Sequence, residues 1–264
     1  MSEEFRCDDD LYVAMAKNVR RSILTGALKA GSNGAHIAPS LSCVEILIAV
    51  HDMAKGTGTV ILSKGHAGLA LYATMLEMGM ISQAAFDEFE NDGGNLPGQP
   101  SKNADVGIAY SSGSLGMLLS YACGRALVSD KRFFVIIGNG EANEGSVWES
   151  AMFAGSRSLK NLVVVVDDNG MQADGCSEEV LHCNVASLFD AAGWDVVECD
   201  GHSVSTLMRV LRQQRVAKPL AVIARTVKGK GVSFMENTKE WHHSRLSQQQ
   251  YEKAMQEIGG LCGN

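Results

Sequence analysis

Residues 133–175 read FFVIIGNGEANEGSVWESAMFAGSRSLKNLVVVVDDNGMQADG, and they decide the fold. Two short apolar runs, Phe133 to Ile137 and Leu162 to Val166, each lead into a loop carrying an asparagine, with one helix's worth of sequence between them. The runs are too short to span a membrane and rich in β-branched residues, which marks them as strands. Their separation suits a right-handed parallel crossover. Neighbouring parallel strands lie roughly 4.8 Å apart, so side chains just past their carboxyl ends can converge on one ion. Asn139 and Asn169 occupy those positions, thirty residues apart.

Outward from this βαβ unit, the second half of the chain keeps alternating. A helix near 185–192 follows, then a strand at Val196–Cys199, a helix from about Val204 to Arg215 and a strand at Leu220–Ala224. Such alternation specifies a parallel sheet covered by helices, with its ligand site beyond the strands' carboxyl ends. The first 130 residues read as mostly helical. Leu11 to Leu28 has apolar residues at helical spacing (Met15, Val19, Ile23, Leu24, Leu28), with Lys17, Arg20 and Arg21 elsewhere on the wheel. Ser42 and Glu45 form a capping-box pattern before ILIAV, Ser63 to Glu77 reads as a helix ended near Gly79, and Ser82 opens a short one. Residues 91–112 are loop-like, and a small-residue helix runs from about Leu115 to Val128. The fold class expected is α/β: a mostly parallel central sheet with helices on both faces and a helical amino-terminal portion. No linker, repeat or low-complexity tract divides the chain, so 1–264 is expected to be a single domain.

Composition narrows the function classes. At 264 residues, 45% hydrophobic and with mean hydropathy near zero, the chain can bury a full core. A net charge of −7 and a pI near 5.5 argue against nucleic acid or an anionic membrane as the main partner. The acidic start MSEEFRCDDD has no apolar core of signal-peptide length, which gives a cytoplasmic expectation. Seven cysteines without a CxxC point to reduced thiols. Cys176, His182, Cys183, Cys199 and His202 include one Cys-x-x-His pair, but their spacing matches no common zinc site, so core or loop thiols are the default.

The glycines of GNGEANEG fall at 138, 140 and 145, which is not the G-x-G-x-x-G dinucleotide pattern. There is no GxxxxGK[ST] loop and no GxSxG or cysteine-protease signature. A glycine-lined loop at a helix amino terminus nevertheless suits a diphosphate, because free N–H groups and the helix dipole favour an anion.

The 133–175 segment resembles the thiamine diphosphate motif, Gly-Asp-Gly followed about thirty residues later by Asn, in the version found in transketolases. In that family the Asp, the Asn and a backbone carbonyl two residues after the Asn hold a Mg²⁺ that grips the cofactor's diphosphate. The resemblance places those roles on Asn139, Asn169 and Met171, with Gly138, Gly140 and Glu141 lining the cofactor loop. The family's aspartate is Asn139 here. An amide oxygen is a hard donor without the charge, so the expectation is weaker metal binding, not its loss.

Further segments carry the resemblance. GAHIAPSLSCVEIL contains His36 and ILSKGHAGLALYATM contains His66. YSSGSLGM, with Gly113, Ser114 and Leu115, is similar to the loop whose backbone meets the cofactor's aminopyrimidine, and VKGKGVSFMENTKEWHH contains His242 and the adjoining His243. The resemblance implies that His36, His66 and His242 surround the diphosphate, thiazolium and donor substrate, where near-neutral imidazoles assist proton transfer. A fourth family histidine, in LPGHP, is Gln99 here, which hydrogen-bonds a hydroxyl but moves no proton at neutral pH. Glu144 stands where the family has a subunit-contact glutamate; a helix amino-terminal acid favoured by the dipole is the plain alternative. Trp148, Met152 and Phe153 are expected in the core.

In the family a glutamate on a second, pyrimidine-binding domain activates the cofactor, and the resemblance here covers residues 10 to 245 without it. This implies the amino-terminal subunit of a split transketolase, transferring a two-carbon ketol unit from a ketose to an aldose, dependent on thiamine diphosphate and Mg²⁺ and on a separate carboxy-terminal subunit. A dimer of heterodimers is the natural assembly. Gln99 leaves open a carboligase acting on a nonstandard sugar, and Asn139 a relative whose cofactor site has decayed.

Overall fold

The structure, a computed structural model, describes residues 3–213 and 217–260. The chain forms two compact units, each assembled from separated segments: residues 1–48, 66–111 and 227–264 in the first, and 49–65 and 112–226 in the second.

The second unit holds the sheet. Its strands are β1 (Gly58–Leu62), β2 (Arg132–Gly138), β3 (Leu162–Asp168), β4 (Asp195–Asp200) and β5 (Leu220–Arg225), in the order β1-β2-β3-β5-β4, with every neighbouring pair parallel. Phe133 to Ile137 and Leu162 to Val166 are almost wholly buried, as continuous apolar runs in a covered parallel sheet must be. Gly138 pairs with Asp167 and Asp168 with Arg225, so the loops after β2, β3 and β5 leave the same edge together.

The sequence had β1 hidden within a region read as helical. It is an edge strand only half buried over its first three residues, so GTVIL offered neither a long apolar run nor clean alternation. The expected helix from Ser63 is shorter: the chain first makes a 3₁₀ turn at Gly65–Ala67.

Earlier in the chain come α1 (Glu3–Lys29), α2 (Ile37–Ser42), α4 (Gly68–Glu77) and α5 (Gln83–Phe86) of the first unit, and α3 (Val44–Ala54), whose residues are divided between the two units after Ile48. The sheet unit then has α6 (Met117–Leu127), α7 (Gly145–Ser156), α8 (Ser177–Val180), α9 (Val185–Ala191) and α10 (Val204–Arg212); residues 214 and 215 of the expected last helix lie outside the described ones. Gly155 of α7 lies so close to the turn after α9 that an added Cβ would sit 1.8 Å from the Ala192 carbonyl oxygen. Met152 and Phe153 prove exposed, contrary to the core expectation, while Trp148 packs on Phe189 with ring centroids 5.2 Å apart.

In the first unit, α1 packs against α2, α4 and α11 (Gln248–Gly260), burying Val19, Ile23 and Leu24. Arg20, expected on the outer face, is buried instead: it forks onto Glu45 (2.6 and 3.0 Å) and donates to the Lys230 carbonyl. Glu45 therefore serves this ion pair, and Ser42 is the last residue of α2. Ser82 does cap α5, accepting from the Ala85 amide at 3.2 Å. No described helix is long and apolar enough to cross a membrane.

Candidate functional site

Two polar constellations stand out, one in each unit. In the sheet unit, the register places Asn139 directly after β2, beside the end of β3. Its Oδ1 accepts the main-chain amides of Asn169 (2.9 Å) and Gly170 (3.1 Å), and its Nδ2 donates to Asp168 Oδ1 at 2.5 Å. Asn169 in turn accepts the Met171 amide on Oδ1 (3.0 Å) and donates to Asp167 Oδ2 (3.2 Å). The three positions named from sequence are thus brought together by the adjoining loops after β2 and β3. As a donor set, two amide oxygens and a main-chain carbonyl suit a hard divalent cation in kind. No carboxylate is among them. Two carboxylates flank them: Asp167, which accepts from Asn169, and Asp168, one hydrogen bond from Asn139 and ion-paired with Arg225, which also reaches Glu198 at 2.9 Å.

Beneath this turn lies a buried ion pair, Lys64 with Asp167; Thr226 and Asn169 also donate to that carboxylate. Removing one partner of such a pair costs about 3–5 kcal/mol, since the other charge stays desolvated. Lys64 escaped the sequence reading because its partner is 103 positions away, though it stands two residues before His66 in a matched segment.

Gly138 and Gly140 bracket Asn139, and Glu141 opens the 3₁₀ turn Glu141–Asn143 that leads into α7. Glu141 is buried, accepting on Oε1 from the Ser63 hydroxyl and from the Gly116 amide at 2.9 Å. Gly116 closes the segment containing Gly113, Ser114 and Leu115. Its φ of +82° and the 2.4 Å that would separate an added Cβ from Ser146 Oγ leave room only for glycine. Glu144 is exposed at the amino terminus of α7, where its charge faces the positive end of the helix dipole, and its side chain makes no cap hydrogen bond.

In the first unit, His36, His66 and His242 come together as the sequence proposed. Their ring centroids are 5.8 Å apart for His36 and His66, 5.4 Å for His36 and His242, and 5.3 Å for His66 and His242. The adjoining His243 stacks edge-on against His36 at 4.6 Å. Lys228 is buried with its Nζ 3.0 Å from His242 Nδ1. Burial chiefly, then His243 and Lys228, hold His36 down to a pKa of about 4, so it is a neutral imidazole at physiological pH. Gln99 is exposed in a turn whose neighbours Gly98 and Pro100 pack against Gly68, at the start of α4 and two residues beyond His66. Chemically, this cluster offers imidazole nitrogens that donate or accept hydrogen bonds, with the Lys228 amine beside them.

The cysteines and histidines between 176 and 202 do not assemble: among the described residues no group of three His, Cys, Asp or Glu side chains is placed to hold a metal. Cys43, Cys123, Cys176, Cys183 and Cys199 are free thiols.

A parallel sheet with a polar loop cluster at its carboxyl edge defines a ligand-binding α/β protein. Residues 56–261 match the family described as transketolase, thiamine diphosphate binding domain, and the chain belongs to that family. It is 35% identical over 269 residues to one of the subunits of the apulose-4-phosphate transketolase from Phocaeicola vulgatus, covering 95% of this chain and 94% of that one. It is 34% identical over 241 residues to the 6-deoxy-6-sulfo-D-fructose transketolase subunit SqwG of a Clostridium species, covering 84% and 88%. Among solved structures, the transketolase of Campylobacter jejuni superposes with a TM-score of 0.80 at 22% identity, covering 94% of this chain. The chain spans 42% of that enzyme's length.

Proposed function

We propose that this chain is the amino-terminal, diphosphate-binding subunit of a split transketolase, moving a two-carbon ketol unit from a ketose donor to an aldose acceptor. The observation that carries the reading is similarity along nearly the whole chain to relatives themselves named as transketolase subunits. Thiamine diphosphate, when bound, supplies the carbanion chemistry. This chain's own residues bind and orient it: Asn139, Asn169 and the Met171 carbonyl hold Mg²⁺, Gly138, Gly140 and Glu141 shape the diphosphate loop, and Gly113, Ser114 and Leu115 meet the aminopyrimidine. His66 and His242 accept and return protons at substrate hydroxyls, while His36, neutral with its pKa held down to about 4, and Gln99 add hydrogen bonds without proton transfer. Residues 1–264 act as one cofactor domain, a reading supported by a family match that runs through segments of both units.

The partner we propose is a separate carboxy-terminal subunit with the pyrimidine-binding domain and activating glutamate, in a dimer of heterodimers. Exposed Met117 and Leu127 on α6 and Met152 and Phe153 on the adjoining α7 support an apolar contact surface, with Glu144 at its edge. The free thiols and acidic pI support a cytoplasmic protein with sugar or sugar-phosphate substrates and no nucleic acid or membrane partner. A nonstandard sugar donor is favoured by Gln99 and by the sugars in the two relatives' names. Mixing the purified chain with the product of its neighbouring gene, thiamine diphosphate and Mg²⁺ tests the proposal. Ketol transfer only in the mixture is expected, and turnover by the chain alone would contradict it. Activity confined to unusual donors identifies the nonstandard substrate, and absence of cofactor binding in every combination indicates a non-catalytic relative.

A further inference from the structure

We infer that Glu141 is a positioning residue: a buried carboxyl latch that fixes the 112–116 loop against the end of β2 and so presents that loop's backbone to the cofactor. The inference rests on the proposed cofactor reading, but its geometry belongs to this chain alone.

Glu141 is 1% exposed, and one of its oxygens, Oε1, ties two separate segments to the loop after β2. The Ser63 hydroxyl, at the end of β1, donates to it, and so does the Gly116 amide at the entrance to α6. Oε2 is buried and meets no hydrogen-bond partner among the described residues. A solvent-facing cofactor ligand would not be sealed in this way; a carboxyl that holds loops together is.

Gly116 cannot find another anchor by shifting, because its left-handed backbone and its contacts with Ser146 and Glu144 confine it. Removing Oε1 therefore leaves a buried main-chain N–H without an acceptor. Burial raises the Glu141 pKa, while the Ser63 and Gly116 donors and the Lys64 charge pull it partly back. Glutamine keeps a side-chain oxygen that can accept from both Ser63 and Gly116, which makes Glu141→Gln the conservative replacement.

The test uses the full chain and two readouts. In Glu141→Ala, hydrogen–deuterium exchange of peptides covering residues 112–116 should quicken at least tenfold, with β3 unchanged. Affinity for thiamine diphosphate with Mg²⁺, measured by calorimetry, should fall about tenfold or more. Glu141→Gln should stay within about twofold of wild type in both. If Glu141→Ala fails to fold, Ser63→Ala, which deletes one donor to the same oxygen, should move both readouts in the same direction by a smaller factor. Unchanged exchange at 112–116 in Glu141→Ala, or in Ser63→Ala where that variant carries the test, overturns the inference, as does Glu141→Gln behaving like Glu141→Ala. Failure of the wild-type chain to bind cofactor would count against the functional reading and leave the exchange readout to decide the latch.

Discussion

Replacing Asn139 by aspartate should make the protein's stability depend on a divalent cation. Asn139 Nδ2 lies 2.5 Å from Asp168 Oδ1, both groups are largely buried, and aspartate at 139 sets a second carboxylate against the first. Two unit charges about 4 Å apart repel by about 4 kcal/mol at an effective dielectric near 20 and about 1 kcal/mol in water. Arg225 beside Asp168 offsets part of this, and the new carboxylate still accepts from the Asn169 and Gly170 amides. A net loss of about 1–3 kcal/mol in EDTA follows, or roughly 2–12 °C in Tm for a chain of this size. A divalent cation held by the new carboxylate would offset this repulsion. Thermal melts in EDTA and across a Mg²⁺ titration should show Asn139→Asp less stable than wild type without metal and gaining more from it. Equal stability in EDTA, with an equal Mg²⁺ gain, would refute both the geometry and the claim that Asn139 weakens the cation site.

Three further outcomes can be checked. His36 has a folded pKa of about 4 against an ordinary 6.5, so the unfolded chain binds the extra proton between these values. Its contribution is intact above pH 6.5 and lost as pH falls toward 4, by at most about 3 kcal/mol; in chemical denaturation at stepped pH, His36→Gln should flatten this slope. Glu45→Ala leaves Arg20 charged and buried and should cost about 3–5 kcal/mol by urea unfolding, whereas Glu252→Ala on the exposed face of α11 should change little. Gly155→Ala drives a methyl against the Ala192 carbonyl and should lower stability by about 1–3 kcal/mol or more.

The parts of the fold that could be read in sequence are those whose signal is local. β2 and β3 are unbroken apolar runs rich in β-branched residues, and their spacing implied the crossover that sets Asn139 beside Asn169. β1 was hidden because a short edge strand half open to solvent lacks such a run. The histidine cluster was legible only through matched segments: nothing in the spacing of His36, His66 and His242 along the chain brings them together, and the sequence alone does not separate the role of His242 from that of the adjoining His243. Arg20 with Glu45 and Lys64 with Asp167 were illegible for a different reason. A charged side chain reads as surface until a distant partner neutralises it, and that partner is supplied by packing.

The central claim is that the turn joining Asn139 and Asn169 holds a cation-bound diphosphate. Calorimetric titration of thiamine diphosphate into the chain together with its partner subunit, in Mg²⁺ and in EDTA, with wild type and Asn169→Ala, tests it most directly. The account predicts binding in Mg²⁺ that EDTA abolishes and that Asn169→Ala weakens at least tenfold. Equal affinity for both proteins, indifferent to EDTA, would contradict it.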